Sequence, residues 1–567
     1  MLLYYFFDAK GIKSRLSTAS SAPYCISIII KYKTPLDFSM ASAGTGMDET
    51  GIALDKAWAS TCRVLFGAEL GSLAQHEKWL SELVDAPVFR KSSVSGKEVI
   101  YSTRDYSEKA KSISLDEVDF NRKFAPLSFN QIKDIDSIIQ AVQDRAYYSG
   151  NMILGNSKFV SSCSNINDSF YMHRTTLSGN DKYMAYCTLA RVDSYGFGGN
   201  AFSQCEFCLK CHELTRCKRS FELWMSQDSA DCYYSHGLKN CTGCMFTFNV
   251  QNKRNAIGNI ELTPEKYKEI RAKLLSEMVE EAKKNKRLPS LLEIVTQGKA
   301  VAPKIAPSAA KAQLEDKGKI EVAFATTMNI ILGKKPSKGI DAYGKWLVNH
   351  TRGFDMCKSA ASGKDVYLAH YGNYCDLPKD RLLSLEEAKS FGQDAKLSPP
   401  DLESFSLKTA GARISKIAFF NSDISDGQNS NDIECTINID AVNCYRAVCS
   451  VYSKYVAYSF WPRSCEHIFG CDTVFDSSFC VNCYRSVKLT RCIEMDSCES
   501  CSDSMFCHNC ENMQNCMFCF NTKNKTHAIG NVEVGKEEYM RIKALVLAQI
   551  SNQLEKTGKI SWDIFSI

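Results

Sequence analysis

Two patterns of apolar and polar positions alternate along this chain, and they predict two kinds of element. The first is helical. After Thr263 and Pro264, an N-cap and first-turn pair, Tyr267, Ile270, Leu274 and Met278 recur at helical spacing. Tyr539, Ile542, Val546 and Ile550 do the same near the C-terminal end. The second pattern is short: Cys205, Leu214, Leu223, Cys232 and Cys241 occupy one recurring position, with Asn, Ser, Asp and Gly abundant between them. Such residues fray helices, so short strands and turns are expected there. Strand-like Val99-Ile100-Tyr101 and Val366-Tyr367-Leu368 stand among helical stretches in 52–138 and 320–406, which read as small α+β caps.

Both patterns occur twice. Asn252-Lys253-Arg254-Asn255-Ala256-Ile257-Gly258-Asn259 returns as Asn524-Lys525-Thr526-His527-Ala528-Ile529-Gly530-Asn531, an offset of 272. Leu214-Thr215-Arg216-Cys217 returns as Leu489-Thr490-Arg491-Cys492, Lys78-Trp79-Leu80 as Lys345-Trp346-Leu347, and Ser95-Gly96-Lys97 as Ser362-Gly363-Lys364. A tandem duplication follows. The expected organisation is a disordered or untranslated segment 1–50, with Met40 an alternative start, and an α+β cap 51–145. A solenoid 146–260, a capping helix 261–290 and an Ala/Pro/Lys-rich linker 291–318 come next. The second copy supplies a cap 319–410, a solenoid 411–532 and a capping helix with tail 533–567.

Within each copy the cysteines share a frame. Cys435, Cys444, Cys471, Cys480, Cys498, Cys507 and Cys516 differ by multiples of nine. Cys465, Cys483, Cys492, Cys501, Cys510 and Cys519 lie three residues further on, and Cys449 falls outside. In copy one, Cys187, Cys205, Cys232 and Cys241 share one phase, Cys163, Cys208, Cys217 and Cys244 the other, and Cys211 is the exception. A nine-residue unit is too short for a helical hairpin, so the fold class expected is mainly β with α+β caps: two tandem parallel β-solenoids, each followed by an amphipathic helix. Cysteine, small and apolar, suits an inner ladder. Two nonads per coil would give about five or six coils, roughly 4.8 Å apart.

Charge alters this little: 69 Lys and Arg against 64 acidic residues give +5, and no basic run suggests a nucleic-acid groove. No apolar run approaches the roughly 18 residues of a membrane span. The first 39 residues lack the layout of a secretory signal, so the thiols are expected to be reduced, in the cytoplasm or in a virion.

The Cys-x-x-Cys pairs Cys205/Cys208, Cys241/Cys244, Cys498/Cys501, Cys507/Cys510 and Cys516/Cys519 have zinc-ligand spacing. The densest patch, Cys498, Cys501, Cys507, Cys510, Cys516 and Cys519, is therefore the candidate metal site, for zinc or an iron–sulfur cluster. Against it, Leu214, Leu223, Leu489, Val474, Val456, Ala447, Ser226 and Ser235 fill the same phases, which favours selection for size and burial and an absence of any cofactor. Cys211-His212 and Cys507-His508 invite a Cys/His nucleophile, but adjacent strand residues point to opposite faces. Gly196-Phe197-Gly198-Gly199 reads as a thin coil or turn rather than a phosphate cradle. Arg216 and Arg491, each beside a ladder cysteine, are the candidate partner surface, on one shared outer face. The aromatics Tyr452, Tyr455, Tyr458, Phe460 and Trp461 are a second candidate surface, with corner packing the alternative.

In architecture the chain resembles parallel β-helix proteins, the nonads carrying the likeness. It also resembles uncharacterised cysteine-rich proteins of large DNA viruses and small-genome prokaryotes. There, Cys-x-x-Cys nonads precede an Asn-Lys segment and a helix, here Asn524-Lys525 with Lys536-Glu537-Glu538-Tyr539, and Asn252-Lys253 with Pro264-Glu265-Lys266-Tyr267. That resemblance implies a fold and no activity. Three functions remain: a non-catalytic structural, assembly or protein-binding protein, such as a virion component, acting through protein partners or self-assembly; a zinc or iron–sulfur protein; and a solenoid enzyme with an outer-groove site.

Overall fold

The computed structural model describes residues 48–128, 132–305, 315–371 and 376–567. Most of the expected N-terminal segment, Met40 included, and the centre of the linker lie outside the described residues. The protein is mainly β, with long parallel sheets wound as a solenoid and helices laid against them.

The coil has twelve residues. In the first winding Lys182 pairs with Phe170 behind it and Ser194 ahead, and the register holds to Thr242 and Arg254. A second run of parallel strands has the same step, with Cys480 beside Cys492 and Cys516 beside Ala528. The eighteen-residue coil expected from paired nonads is therefore corrected to twelve. The local unit is three residues, one of which is left-handed: Tyr171, Arg174, Leu177, Asn180 and Tyr183 all have φ between 44° and 61°.

Each triplet thus turns the chain, and one side chain per triplet points inward. Nine and twelve are both multiples of three, which is why the cysteines suggest nonads without coiling in nonads. Cys211 also fits the triplet frame, and the exception assigned to it disappears. Cys449 alone stays outside, half-buried and left-handed at φ 57°.

Left-handed backbone costs an L-residue roughly 1–2 kcal/mol. Asn and Gly tolerate it; Val192 at φ 60° and Ile437 at φ 61° do not, and only the surrounding winding holds them there. Inter-coil hydrogen bonds supply that restraint on every side of the coil, as in Lys182 N–H to Asp193 O at 3.0 Å and Val192 N–H to Gly179 O at 3.0 Å.

The helix Glu49–Phe66 lies along the flank of the first winding, burying Trp58, Leu65 and Phe66 against it, and Lys317–Leu332 does the same for the second. The helices Pro264–Asn285, capped by Thr263, and Lys536–Thr557 follow the last coils. The strand-bearing units cross over. Val99, Tyr101, Tyr106 and Tyr148 pack with Tyr484 and Phe520 of the second winding and with Phe565 of the C-terminal tail. Leu368, Leu397, Phe405 and Phe420 pack with the first, among Phe246, Phe248 and Ile257.

Candidate functional site

The interior columns bring together the residues with the most chemistry. An inward side chain at a coil corner faces the amide of the residue twelve further on, and a short group with a lone pair satisfies that amide. Cys471 Sγ accepts from Cys483 N–H at 3.3 Å and Cys519 Sγ from Asn531 N–H at 3.4 Å. Serine does the same, Ser486 Oγ from Cys498 N–H at 3.0 Å. Aspartate does so in the first winding, where Asp181 accepts from Asp193 N–H at 2.7 Å and Asp193 from Cys205 N–H at 2.6 Å. Cys, Ser and Asp therefore interchange for hydrogen bonding as well as for size.

The thiols also donate. Cys498 Sγ lies 3.2 Å from Asp496 O and 3.3 Å from Cys507 O, Cys510 Sγ 3.3 Å from His508 O and Cys519 O, and Cys516 Sγ 3.4 Å from Gln514 O and Lys525 O, so each single S–H has two carbonyl acceptors within reach. Cys501 donates to Glu499 O at 3.2 Å, Cys507 to Met505 O at 3.3 Å and Cys519 to Met517 O at 3.4 Å. The six candidate ligands thus share one interior, all buried and none in a disulfide. Burial pushes Cys510 and Cys519 well above the ordinary thiol range; S–H donation to Cys498, then burial, does so for Cys501. Among the described residues no three His, Cys, Asp or Glu side chains are arranged to hold a metal.

Outside the columns, a buried polar network joins the first α+β unit to the second winding. Ser149 N–H donates to His508 Nε2 at 2.8 Å, which leaves the ring proton on Nδ1 to be donated to Asp496 at 2.8 Å. Asp496 also accepts from Tyr106 Oη at 2.7 Å and Arg485 at 2.5 Å. It is fully buried; burial alone would raise its carboxyl, but the Arg485 guanidinium and the His508 hydrogen bond hold it well below the carboxylate range. Ser149 Oγ does not reach His508, so the trio is no nucleophilic triad.

The first winding has a matching joint: His236 Nε2 lies 3.0 Å from Asn421 O, and Asn249 donates to Phe419 O at 2.8 Å. In the second, Asn521 donates to Tyr147 O at 2.7 Å. Sequence reading missed these residues because partners such as Tyr106 and Asp496 are 390 positions apart. One signal was present: Asp496 and His508 are twelve apart, the coil length.

Buried Glu222 and Glu494 each accept one amide from the segment after the helix, Leu291 N–H at 2.9 Å and Ile564 N–H at 3.0 Å. Burial pushes Glu222 up to about 7 and Glu494 to about 8. A folded-state value raised from ~4.3 gives stability that is complete at low pH and lost as pH rises through about 8. Glu494→Gln should accordingly gain on the wild type between pH 6 and pH 9 in urea-denaturation midpoint. Parallel pH profiles would contradict this.

Arg216 and Arg491 are half-exposed but engaged. Arg216 grips Asp228 at 2.5 and 2.8 Å, and Arg491 grips Asp503 at 2.7 Å twice, each pair spanning one coil. The shared face is corrected. Arg491 takes the place of Arg219, itself paired with Asp231 at 2.8 and 2.7 Å, and Arg216 lies one coil side away. The second aromatic candidate divides: Tyr458 and Phe460 are buried, while Tyr452 is 49% exposed.

A cleft of about 460 Å³ opens between the first winding and the segment 385–425, lined in part by Lys239, Lys253, Lys389, Asn252 and Asp423. Lys253 pairs with Glu261 at 3.1 Å and Lys239 with Asp426 at 3.8 Å, which leaves little net field in it.

No described helix is long and apolar enough to cross a membrane. Comparisons with protein-family models, curated proteins and solved structures return no match.

Proposed function

We propose that the protein is a non-catalytic structural or assembly scaffold made of two homologous solenoids in tandem, of the kind that builds a particle such as a virion. One observation carries this reading: the ladder thiols and the buried Asp496–His508 pair are engaged by the fold itself. The ladder thiols serve backbone amides and carbonyls, and Asp496 and His508 have every polar side-chain atom paired. The duplication is supported by matching joints at one offset, His236 with His508 and Asn249 with Asn521.

A zinc or iron–sulfur role is the second reading, and one feature favours it. Although burial opposes it, the neighbouring Cys510 and Cys519 thiols bring Cys507 down to about 7, and the neighbouring Cys501 and Cys510 thiols lower Cys498 well below the thiol range.

Elemental analysis of full-length chain purified without chelator separates the two readings. The scaffold predicts well under about one zinc or iron per chain. A stoichiometric metal, lost on Cys498→Ser with Cys507→Ser, would overturn it.

A further inference from the structure

The two windings begin differently. In the first, Ile153–Leu154 and Lys158–Ser161 are the end strands of the sheet, each paired on one side only. Ile153 and Val160 form the open top of the interior and are half-buried. Phe159 ends a stack of near-parallel rings. It lies 4.7 Å from Tyr171 at 4°, and Tyr183, Tyr195 and Phe207 follow at 4.5–5.0 Å; among the described residues no ring stacks on the other face of Phe159, which is half-buried.

At the same offset of 272, the second winding has Ser425 for Ile153, Asp426 for Leu154, Asn431 for Phe159 and Asp432 for Val160. Ser425–Asp426 is likewise an end strand paired on one side only, but the residues of this end are polar. Asn431 exchanges two hydrogen bonds with the Asp316 backbone, at 2.7 and 3.0 Å, and Asp432 accepts from Cys444 N–H at 3.2 Å. The far ends of both windings are closed by antiparallel strands, Ile260–Glu261 and Val532–Glu533. A solenoid end that must face water carries a polar terminal coil, as the second winding does. The first carries the apolar version.

We propose that this end is a homodimer contact: the first coil of one chain stacks on the first coil of a second copy about a two-fold axis. The inference rests on the scaffold reading and names its partner. A second copy is the occupant because the edge is self-complementary. Antiparallel pairing centred between Phe159 and Val160 sets each against the other, and sets Lys158 against Ser161 rather than against a second lysine. Because the contact is isologous about a two-fold axis and both far ends are closed by antiparallel strands, it closes as a dimer and does not propagate as a filament.

The test is sedimentation equilibrium of the full chain at micromolar concentration. The expected mass is twice 63.5 kDa. Phe159→Asn with Val160→Asp, which transfers the second winding's own end residues, should weaken the dimer at least tenfold while the far-ultraviolet spectrum and thermal midpoint stay near wild type. A chain beginning at Met47 should still dimerise. A monomer at all concentrations, a dimer indifferent to the double substitution, or loss of the dimer on removing residues 1–46 would each overturn the proposal. Metal content is read independently. A metal-free monomer defeats the dimer and spares the scaffold, whereas a stoichiometric metal defeats the scaffold whatever the mass.

Discussion

Asp496→Ala is expected to destabilise the protein by about 3–5 kcal/mol, the range for removing one partner of a buried ion pair. The carboxylate is the common acceptor for Arg485, His508 and Tyr106, and its loss leaves a guanidinium that is 3% exposed without its nearest counter-charge. The same change cuts the joint between the first α+β unit and the second winding. Limited proteolysis should therefore open 88–150 before either winding. Asp496→Asn, which keeps the shape and one acceptor oxygen, should fall between variant and wild type. The folded-state carboxyl is depressed, so its contribution is present above the ordinary carboxylate pKa of ~4 and is lost as pH falls through and below it. Wild type and Asp496→Ala should thus converge in stability on acidification. A urea-denaturation difference below about 1 kcal/mol at pH 7, the level of an exposed pair, would show that the network is solvated rather than buried.

Gly199→Ala is expected to cost about 1–3 kcal/mol by overpacking. Gly199 takes an inward corner between Cys187 and Cys211, and a Cβ there would meet Phe202 Cζ at 2.0 Å and Cys211 O at 2.6 Å. Gly196 similarly leaves room for Met184, whose Cε would lie 2.5 Å from an added Cβ. The glycine cluster exists because one coil admits an aromatic ring, Phe202, where its neighbours carry Ala190 and Leu214. Phe202→Leu should therefore partly rescue Gly199→Ala, with a coupling of at least ~0.5 kcal/mol. Rescue should be incomplete, since the carbonyl of Cys211 remains. Strict additivity of the two changes would contradict this packing.

What was legible in the sequence follows from which positions are constrained locally. The helix after each winding could be read, because Thr263 and Pro264 fix its start and Tyr267, Ile270, Leu274 and Met278 its buried face. The inward frame could be read too, since inward positions admit mainly Cys, Ser, Ala, Val and Leu. The coil length could not be read from cysteines, because a three-residue step produces spacings of nine as readily as twelve. Residues that touch between coils carried it instead: Asn240 with Asn252, Arg219 with Asp231, Asn512 with Asn524.

Left-handed Tyr183 or Val192 had no local signal, as neither favours that backbone in isolation. The crossing of the two α+β units was likewise hidden, because contacts such as His508 with Ser149 join strands 359 positions apart. Within the candidate site, the six thiols lie in one buried cluster. Their engagement with backbone carbonyls two residues back and nine residues on required the coil.

The measurement closest to the central claim is native-state labelling with a charged alkylating reagent, resolved cysteine by cysteine by mass spectrometry. Cys498, Cys501, Cys507, Cys510, Cys516 and Cys519 should stay unmodified for hours in buffer and react within minutes in strong denaturant, since each is at most 2% exposed. Rapid modification of these six in the native protein, with the fold intact by circular dichroism, would contradict the interior thiol columns and the scaffold built on them.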